Sequence, residues 1–320
     1  MTMGLILSCL AKSLAYYGLA TVSLFAMSAI IPRAAFLARS LAAYLSAAAA
    51  AVYGIFSSVA LALVGKQQIA QWATGRAFSA LMRATTGTYF IIDDPGRVLD
   101  TTRPAVFIGN HQTELDILML GALFPKYCSV TAKASLKWVP FLGWFMALSG
   151  TVFIDRANAK DARSAMDGAA GKIKSMRQSV YIFPEGTRSY AEEPVLLPFK
   201  KGAFHLAVQA GVPIVPCVVA NYSHVFFIKG MRFNAGSIPV KILDPIPTEG
   251  LTAADVPELV KTTQELMLRE LVALTTKARG QPMPVPARIE PADTAEIVNH
   301  EEKPTEAAAE TVEASAQLSH

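Results

Sequence analysis

Charge is scarce in this 320-residue chain: 17% of residues are Asp, Glu, Lys or Arg, against 52% that are hydrophobic. An ordinary soluble domain carries about 25% charged residues, so part of this chain is expected outside water. The scarcity is local. No charged residue stands between Lys12 and Arg33, and none between Arg39 and Lys66. Each gap supplies the roughly 20 apolar residues needed to cross a hydrocarbon core. The first run is long for the apolar part of a cleaved signal peptide, and a second follows closely. Residues 1–65 therefore read as two antiparallel helices, transmembrane or deeply membrane-embedded, joined by the link "PRAAFLAR". Arg33 and Arg39 in the link are balanced by Lys66, Arg76 and Arg83 beyond the second run, so positive charge selects no orientation.

Cysteine is also rare. Cys9, Cys128 and Cys217 are odd in number and widely spaced, which excludes a disulfide framework or a metal knuckle. There is no internal repeat and no Gly-x-Ser-x-Gly elbow. Acidic residues are concentrated at one end. Residues 281–320 hold eight acidic and two basic side chains, a net of −6, so the first 280 residues carry +10 of the overall +4. A basic body suits anionic ligands or an anionic membrane surface. Nucleic acid is not expected, because no nucleic-acid motif accompanies the charge. The Pro-, Ala- and Glu-rich stretch 281–320 reads as a disordered acidic tail.

Residues 66–280 have a different texture. "KQQIAQWATGRAFSALMR" spaces its apolar residues as a helix, lying at a membrane interface or packed on the domain. Short β-rich runs follow: "YFIID", "AVFIG", "CSVTA", "TVFID", "SVYIF" and "VPIVPCVVA". Two prolines make the last an edge or irregular strand. Helical stretches lie between several of them. "DARSAMDGAAGKIKSMR" carries Asp at its start and Lys and Arg towards its end, as the helix dipole favours. "KGAFHLAVQAG" closes on Gly211, and a last helix is expected over "DVPELVKTTQELMLRELVALTTK". Near-continuous apolar strands separated by helices predict an α/β domain, with a mostly parallel sheet flanked by helices.

Two stretches at strand ends carry chemistry. In "NHQTELD", Asn110 and His111 follow a strand and Asp116 stands five residues after the histidine. Inside one helix that spacing is a turn of about 140°, and the two side chains would not face each other. They meet if His111 sits in the loop and Asp116 in the helix behind it. Asp116 then fixes one imidazole nitrogen and leaves the other free to take a proton. With no protein nucleophile in sequence reach, the nucleophile would be a substrate hydroxyl. In "FPEGTRS", Glu185, Gly186, Thr187 and Arg188 follow another strand. Ligands bind outside the carboxyl ends of such strands. Arg188 offers a planar fork for a phosphate, with Thr187 and backbone N–H groups as further donors. Gly186 permits a tight turn, and Glu185 is placed to orient Arg188 or bind a hydroxyl. Asp155 and Arg156 of "FIDR", and Lys133 and Lys137 beside the aromatics of "TAKASLKWVPFLGW", are weaker candidates.

The order "NHQTELD", "FIDR", "FPEGTRS", "VPIVP" resembles the glycerolipid acyltransferase family, most closely its 1-acyl-sn-glycerol-3-phosphate acyltransferases, over residues 70–275. The resemblance implies acyl transfer from acyl-CoA to the sn-2 hydroxyl of lysophosphatidic acid, giving phosphatidic acid. It implies His111 as general base with Asp116 as its partner. Arg188, with Glu185, Gly186 and Thr187 around it, would hold the acceptor's phosphate, assisted by Lys133 and Asn110, and residues 212–216 would line a substrate channel. It implies no metal and no cofactor, acyl-CoA being a co-substrate, and membrane lipids as surroundings. Thr113 and Glu114 depart mildly from the family's first motif. The implied location is the endoplasmic reticulum membrane in a eukaryote, or the inner membrane in a bacterium. Three other readings stay open: a sister acyltransferase acting on glycerol-3-phosphate or a head-group-bearing lysophospholipid, an acyl-CoA thioesterase, and a non-catalytic lipid-binding protein.

Overall fold

The computed structural model describes residues 3–154, 168–171 and 173–280. Asp155, Arg156, the first part of the expected helix over 161–177 and the acidic tail lie outside the described residues. In chain order the elements are helices α1 (Met3–Met27), α2 (Pro32–Leu63) and α3 (Ala70–Thr86), strand β1 (Thr88–Asp93), a short α4 (Val98–Thr101) and β2 (Val106–Gly109). Then come α5 (Asp116–Leu123), β3 (Cys128–Lys133), α6 (Leu142–Leu148), β4 (Val152–Ile154) and β5 (Ser179–Ile182). The chain continues through α7 (Gly202–Ala210), β6 (Ile214–Val219), β7 (Phe226–Phe227), β8 (Arg232–Phe233), β9 (Gly236–Ile242) and α8 (Val256–Arg279).

Seven strands form one sheet in the order β1-β9-β6-β2-β5-β3-β4. All its pairings are parallel except β6 with β9. Alternation along the strands divides the core. Phe107, Tyr181, Val215 and Cys217 face a cluster with Leu118, Met119 and Leu123 of α5. Val106, Ile108, Val180, Ile182 and Ile214 face the opposite cluster, with Phe204 of α7 and Met267 and Leu271 of α8. The result is three layers, helix on sheet on helix, as two-sided apolar strands require.

Both N-terminal helices are long and apolar enough to cross a membrane. Tyr17 Oη donates to Leu41 O at 2.6 Å and ties α1 to α2. The link is not the expected "PRAAFLAR": that stretch forms the first turns of α2, and the turn lies before it at residues 28–31. Pro32 explains the boundary, because a proline is well placed in a first helical turn, where its missing N–H is not needed. The buried face of α2 is a row of small residues, including Ala34, Ala38, Ala42, Ser46, Ala50, Gly54 and Ser58. This row lets α3 lie close along it, so "KQQIAQWATGRAFSALMR" packs on the domain. Arg39 of α2 donates to Thr86 O and Phe233 O, both at 3.1 Å.

"VPIVPC" is neither edge nor irregular; it forms β6, fully buried between β2 and β9. Pro216 is tolerated because of where β9 stops. Its carbonyl accepts from Leu243 N at 2.9 Å, just past the end of β9. The N and C=O of one strand residue face the same neighbour, so the missing donor falls at the ladder's end. Pro239 in β9 is the mirror case: its carbonyl accepts from Ala220 N at 3.1 Å, one residue beyond β6. β9 itself was not expected. Its alternating buried Ile238, Val240 and Ile242 were the available signal.

Helices α3 and α5 cross where Gly75 meets Gly121; a Cβ on Gly121 would stand 2.7 Å from Gly75 O. A backbone oxygen cannot rotate away as a side chain can. Gly121→Val is therefore expected to destabilise the protein by about 1–3 kcal/mol, outweighing the few tenths that valine gains over glycine as a helix former. Thermal unfolding in detergent measures this, and an unchanged melting temperature would contradict the close crossing.

Candidate active site

Strands β2, β5 and β6 lie side by side and parallel, so the loops leaving Gly109, Ile182 and Val219 emerge at one edge of the sheet. Here the sequence places its polar motifs. His111 sits in the loop after β2 and Asp116 is the first residue of α5. That break from strand to helix brings His111 Nδ1 within 2.7 Å of Asp116 Oδ2. Asp116 is fully buried, and the His111 side chain is 11% exposed.

Asp116 is held from several sides. Its Oδ2 also accepts from Gln112 N at 2.5 Å and Thr113 N at 3.1 Å. Its Oδ1 accepts from Tyr222 Oη at 2.7 Å, and Thr113 Oγ1 lies 2.8 Å from the same hydroxyl. Burial pushes the Tyr222 phenol well above its usual range, and Asp116 adds to the push. Tyr222 is thus a neutral donor at any functional pH. An acceptor-only Asp116 fixes the imidazole proton on Nδ1 and leaves Nε2 with its lone pair. Nε2 has no hydrogen-bond partner among the described residues, and the ring stacks on Phe183 at 4.0 Å between centroids.

Arg188 lies beside this pair. Its Nη1 donates to Tyr190 Oη at 3.1 Å and stands 3.3 Å from Glu114 Oε1. Tyr190 in turn donates to Glu114 Oε1 at 2.6 Å. Arg188 Nε and Glu114 Oε2 are buried with no partner among the described residues. Gly186 turns the loop at φ 74°, and a Cβ there would meet the Lys200 side chain at 2.8 Å. Gly186, Thr187, Arg188 and Lys133, the last at the end of β3, all line one cavity with His111.

Two expected binding residues spend their side chains on backbone groups instead, although Glu185 also lines the cavity. Asn110 exchanges hydrogen bonds with the Val219 backbone, giving from Nδ2 at 3.0 Å and accepting on Oδ1 at 2.9 Å. It pins β2 to the end of β6. Glu185 accepts from His111 N at 2.7 Å and from Leu197 N at 2.9 Å. Its partners are backbone groups, and Arg188 takes Glu114 in its place. Glu114, Tyr190 and Tyr222 were missed as site residues. Glu114 stood inside the first motif, while Tyr222 lies 106 residues from Asp116 and only the fold joins them.

The cavity is large, about 2040 Å³, against roughly 300–1,000 Å³ for a usual small-molecule site. Its polar lining includes His111, Arg188, Lys133 and Lys200. Its walls are apolar, from Ala47, Ala50 and Ala51 of α2, Phe78 of α3, Leu120 of α5 and Phe145 of α6. Of residues 212–216, none lines it; they form the entry and first half of β6. Among the described residues no three His, Cys, Asp or Glu side chains converge as a metal ion would need.

Comparison with known proteins finds relatives by family, sequence and fold. The Acyltransferase family model matches residues 93–220, which include both motifs. The 1-acyl-sn-glycerol-3-phosphate acyltransferase of Saccharomyces cerevisiae is 44% identical over 242 residues, covering 76% of this chain and 79% of that protein. The human 1-acyl-sn-glycerol-3-phosphate acyltransferase alpha is 42% identical over 179 residues, covering 56% of this chain and 62% of that protein. Among solved structures, the 1-acyl-sn-glycerophosphate (LPA) acyltransferase PlsC from Thermotoga maritima shares the fold. Its TM-score is 0.61 at 24% identity, covering 74% of this chain and 95% of that one.

Burial pushes the Glu185 carboxyl up to about 8, the His111 and Leu197 N–H groups pulling partly back. A carboxyl whose pKa rises on folding stabilises most below its unfolded value. That contribution is lost as pH climbs through the folded pKa. The melting temperature should therefore fall between pH 4.5 and about 8, and Glu185→Gln should flatten that slope. The variant should also be less stable below pH 5 by about 1–3 kcal/mol, because an amide NH₂ cannot accept one of the two N–H groups. Parallel slopes for the two proteins would refute the assignment.

Proposed function

The chain belongs to the 1-acyl-sn-glycerol-3-phosphate acyltransferases, and on that premise we propose that it transfers an acyl group from acyl-CoA to the sn-2 hydroxyl of lysophosphatidic acid. The products are phosphatidic acid and free CoA. The observation that carries this reading is the His111–Asp116 pair, with Nε2 unengaged, beside Arg188 in the lining of a large, mostly apolar cavity.

In the proposed step, His111 Nε2 takes the proton of the acceptor hydroxyl as that oxygen bonds to the thioester carbonyl carbon. The tetrahedral adduct collapses, the C–S bond breaks, and the imidazolium returns its proton to the departing CoA sulfur. Asp116 stabilises the imidazolium through Nδ1–H and keeps the ring from turning. Tyr222 and the two backbone donors hold Asp116 in turn. Arg188, with a buried Nε lacking a partner among the described residues, supplies the cation for the acceptor's phosphate, and Lys133 assists. Acyl chains occupy the apolar length of the cavity. The eukaryotic source of the yeast and human relatives favours the endoplasmic reticulum as the membrane involved.

The test is acyl transfer by detergent-purified protein. Labelled oleoyl-CoA or oleoyl-acyl carrier protein is supplied with lysophosphatidic acid, glycerol-3-phosphate, lysophosphatidylcholine or no acceptor. Label in phosphatidic acid, only with lysophosphatidic acid and only from the CoA donor, supports the reading. Free oleate without acceptor would make the protein a thioesterase.

His111→Ala is expected to lower kcat by roughly 10²–10⁴-fold, the range of a general base, with the melting temperature kept. Near-wild-type turnover would sink the mechanism. Arg188→Ala is expected to raise KM for lysophosphatidic acid by about tenfold or more while changing kcat less, the pattern of lost ground-state binding. A pure kcat effect would remove Arg188 from phosphate binding.

A further inference from the structure

The segment from Leu136 to Leu148 has two faces. Inward, Leu136, Leu142, Phe145 and Met146 form cavity wall, and the Phe145 ring presses on α2 so closely that a Cβ on Gly54 would stand 2.5 Å away. Outward, Trp138 is 82% exposed, Trp144 56% and Phe141 49%. Phe141 and Trp144 meet edge to face at 5.2 Å, and Lys137 Nζ lies 5.9 Å from the Trp138 ring.

This display is built into the backbone. Phe141 sits at φ 61° and ψ −53°, at the centre of a three-residue turn closed by Leu142 N on Pro140 O at 2.7 Å, a strained conformation that a bulky side chain rarely enters. Gly143 follows in a turn so tight that a Cβ would stand 2.2 Å from Lys137 O. A strained backbone that leaves an aromatic ring in the open points to a use for that ring.

The surroundings indicate what covers it. Gly54 belongs to α2, whose Tyr53 and Phe56 are themselves exposed, so the aromatic lip adjoins one of the two candidate membrane helices. Between Asp116 and the end of β4 at Ile154 there are three lysines and no acidic residue. Tryptophan beside lysine is the composition of a membrane–water boundary. Protein interfaces also favour tryptophan but are depleted in lysine.

We propose that this lip is a lipid contact separate from α1 and α2. Trp138, Phe141 and Trp144 enter the boundary of an anionic bilayer, Lys137 lies among its headgroups, and lysolipid passes from the bilayer over the lip into the cavity. The delivery step rests on the acyltransferase reading above; the lipid contact does not.

Trp72→Phe leaves Trp138 and Trp144 as the only tryptophans of the chain's three. The full-length variant is reconstituted into phosphatidylcholine–phosphatidylserine vesicles, with or without bromine on the acyl chains. The expected result is tryptophan emission quenched by about half or more in the brominated vesicles, as for rings sitting at the acyl boundary. Equal emission with and without bromine, including emission shifted to the blue by a protein partner, overturns the proposal. In a second arm, the triple variant Trp138→Ser/Phe141→Ser/Trp144→Ser is assayed with lysophosphatidic acid. Transfer to vesicle-borne acceptor should fall by about tenfold or more, the loss expected from three interfacial aromatics. Transfer to detergent-dispersed acceptor should match the parent. Equal rates on vesicles overturn the delivery step. If the triple variant loses both activities, or the parent shows no turnover at all, the quenching arm decides, since it alters no residue of the lip and needs no catalysis.

Discussion

One buried carboxyl joins the two motif loops. Glu185, on the loop after β5, closes on the backbone N–H of His111, on the loop after β2, and on that of Leu197 further along its own loop. Ser189 N and Tyr190 N then bond to the carbonyls of His111 and Gln112 at 3.0 and 3.1 Å. The two loops are laced together along their backbones, and the lacing places Arg188 beside the imidazole. Burying a carboxyl is costly, and in this chain it is offset by two donors that would otherwise be orphaned. The chemistry of "FPEGTRS" therefore divides in two. Glu185, Gly186, Thr187 and Arg188 all line the cavity, but the Glu185 carboxyl is taken up by the backbone donors that build the site, while Gly186, Thr187 and Arg188 stay turned to its interior.

The same economy appears in the apolar wall. The small-residue face of α2 serves packing against α3 and, at Gly54, against Phe145 of α6, and Ala50 and Ala51 of the same face are also cavity wall. The apolar hairpin and the site are thus one body. A substrate chain in the cavity would touch a helix whose other side is apolar and open.

Much of this was readable from the residues. The strands that became β1 to β6 stand out as short apolar runs, and the His111–Asp116 pairing follows from placing one residue before a helix and the other within it. What failed shares a cause: a local rule was overruled by a distant neighbour. Proline argues against a central strand, yet Pro216 sits in one because β9 ends opposite its nitrogen. A glutamate beside an arginine suggests an ion pair, yet Glu185 is claimed by backbone donors and Arg188 by Glu114. Tyr222 carries no local mark of its role, because its partner Asp116 is brought to it by the alignment of β2 with β6. The expected helix over 161–177 is helical where it is described, at 168–171 and 173–176, while its first part and the acidic tail fall outside the described residues.

The two prolines of the antiparallel pair set a length. Pro216 marks one end of the β6–β9 ladder and Pro239 the other, with three paired residues between them: Cys217, Val218 and Val219 against Ile242, Lys241 and Val240. A two-residue slip that drew the prolines inward would set them opposite Lys241 and Val218 and remove donors from the middle of the ladder. β6 is in this sense a gauge block. Its far end is fixed by counting from Pro216, Asn110 clamps that end to β2, and Tyr222 leaves the sheet three residues later at the height of Asp116. The angle of a hydroxyl on the His111–Asp116 pair is thereby metered by a proline six residues upstream, on a strand that lines no part of the cavity.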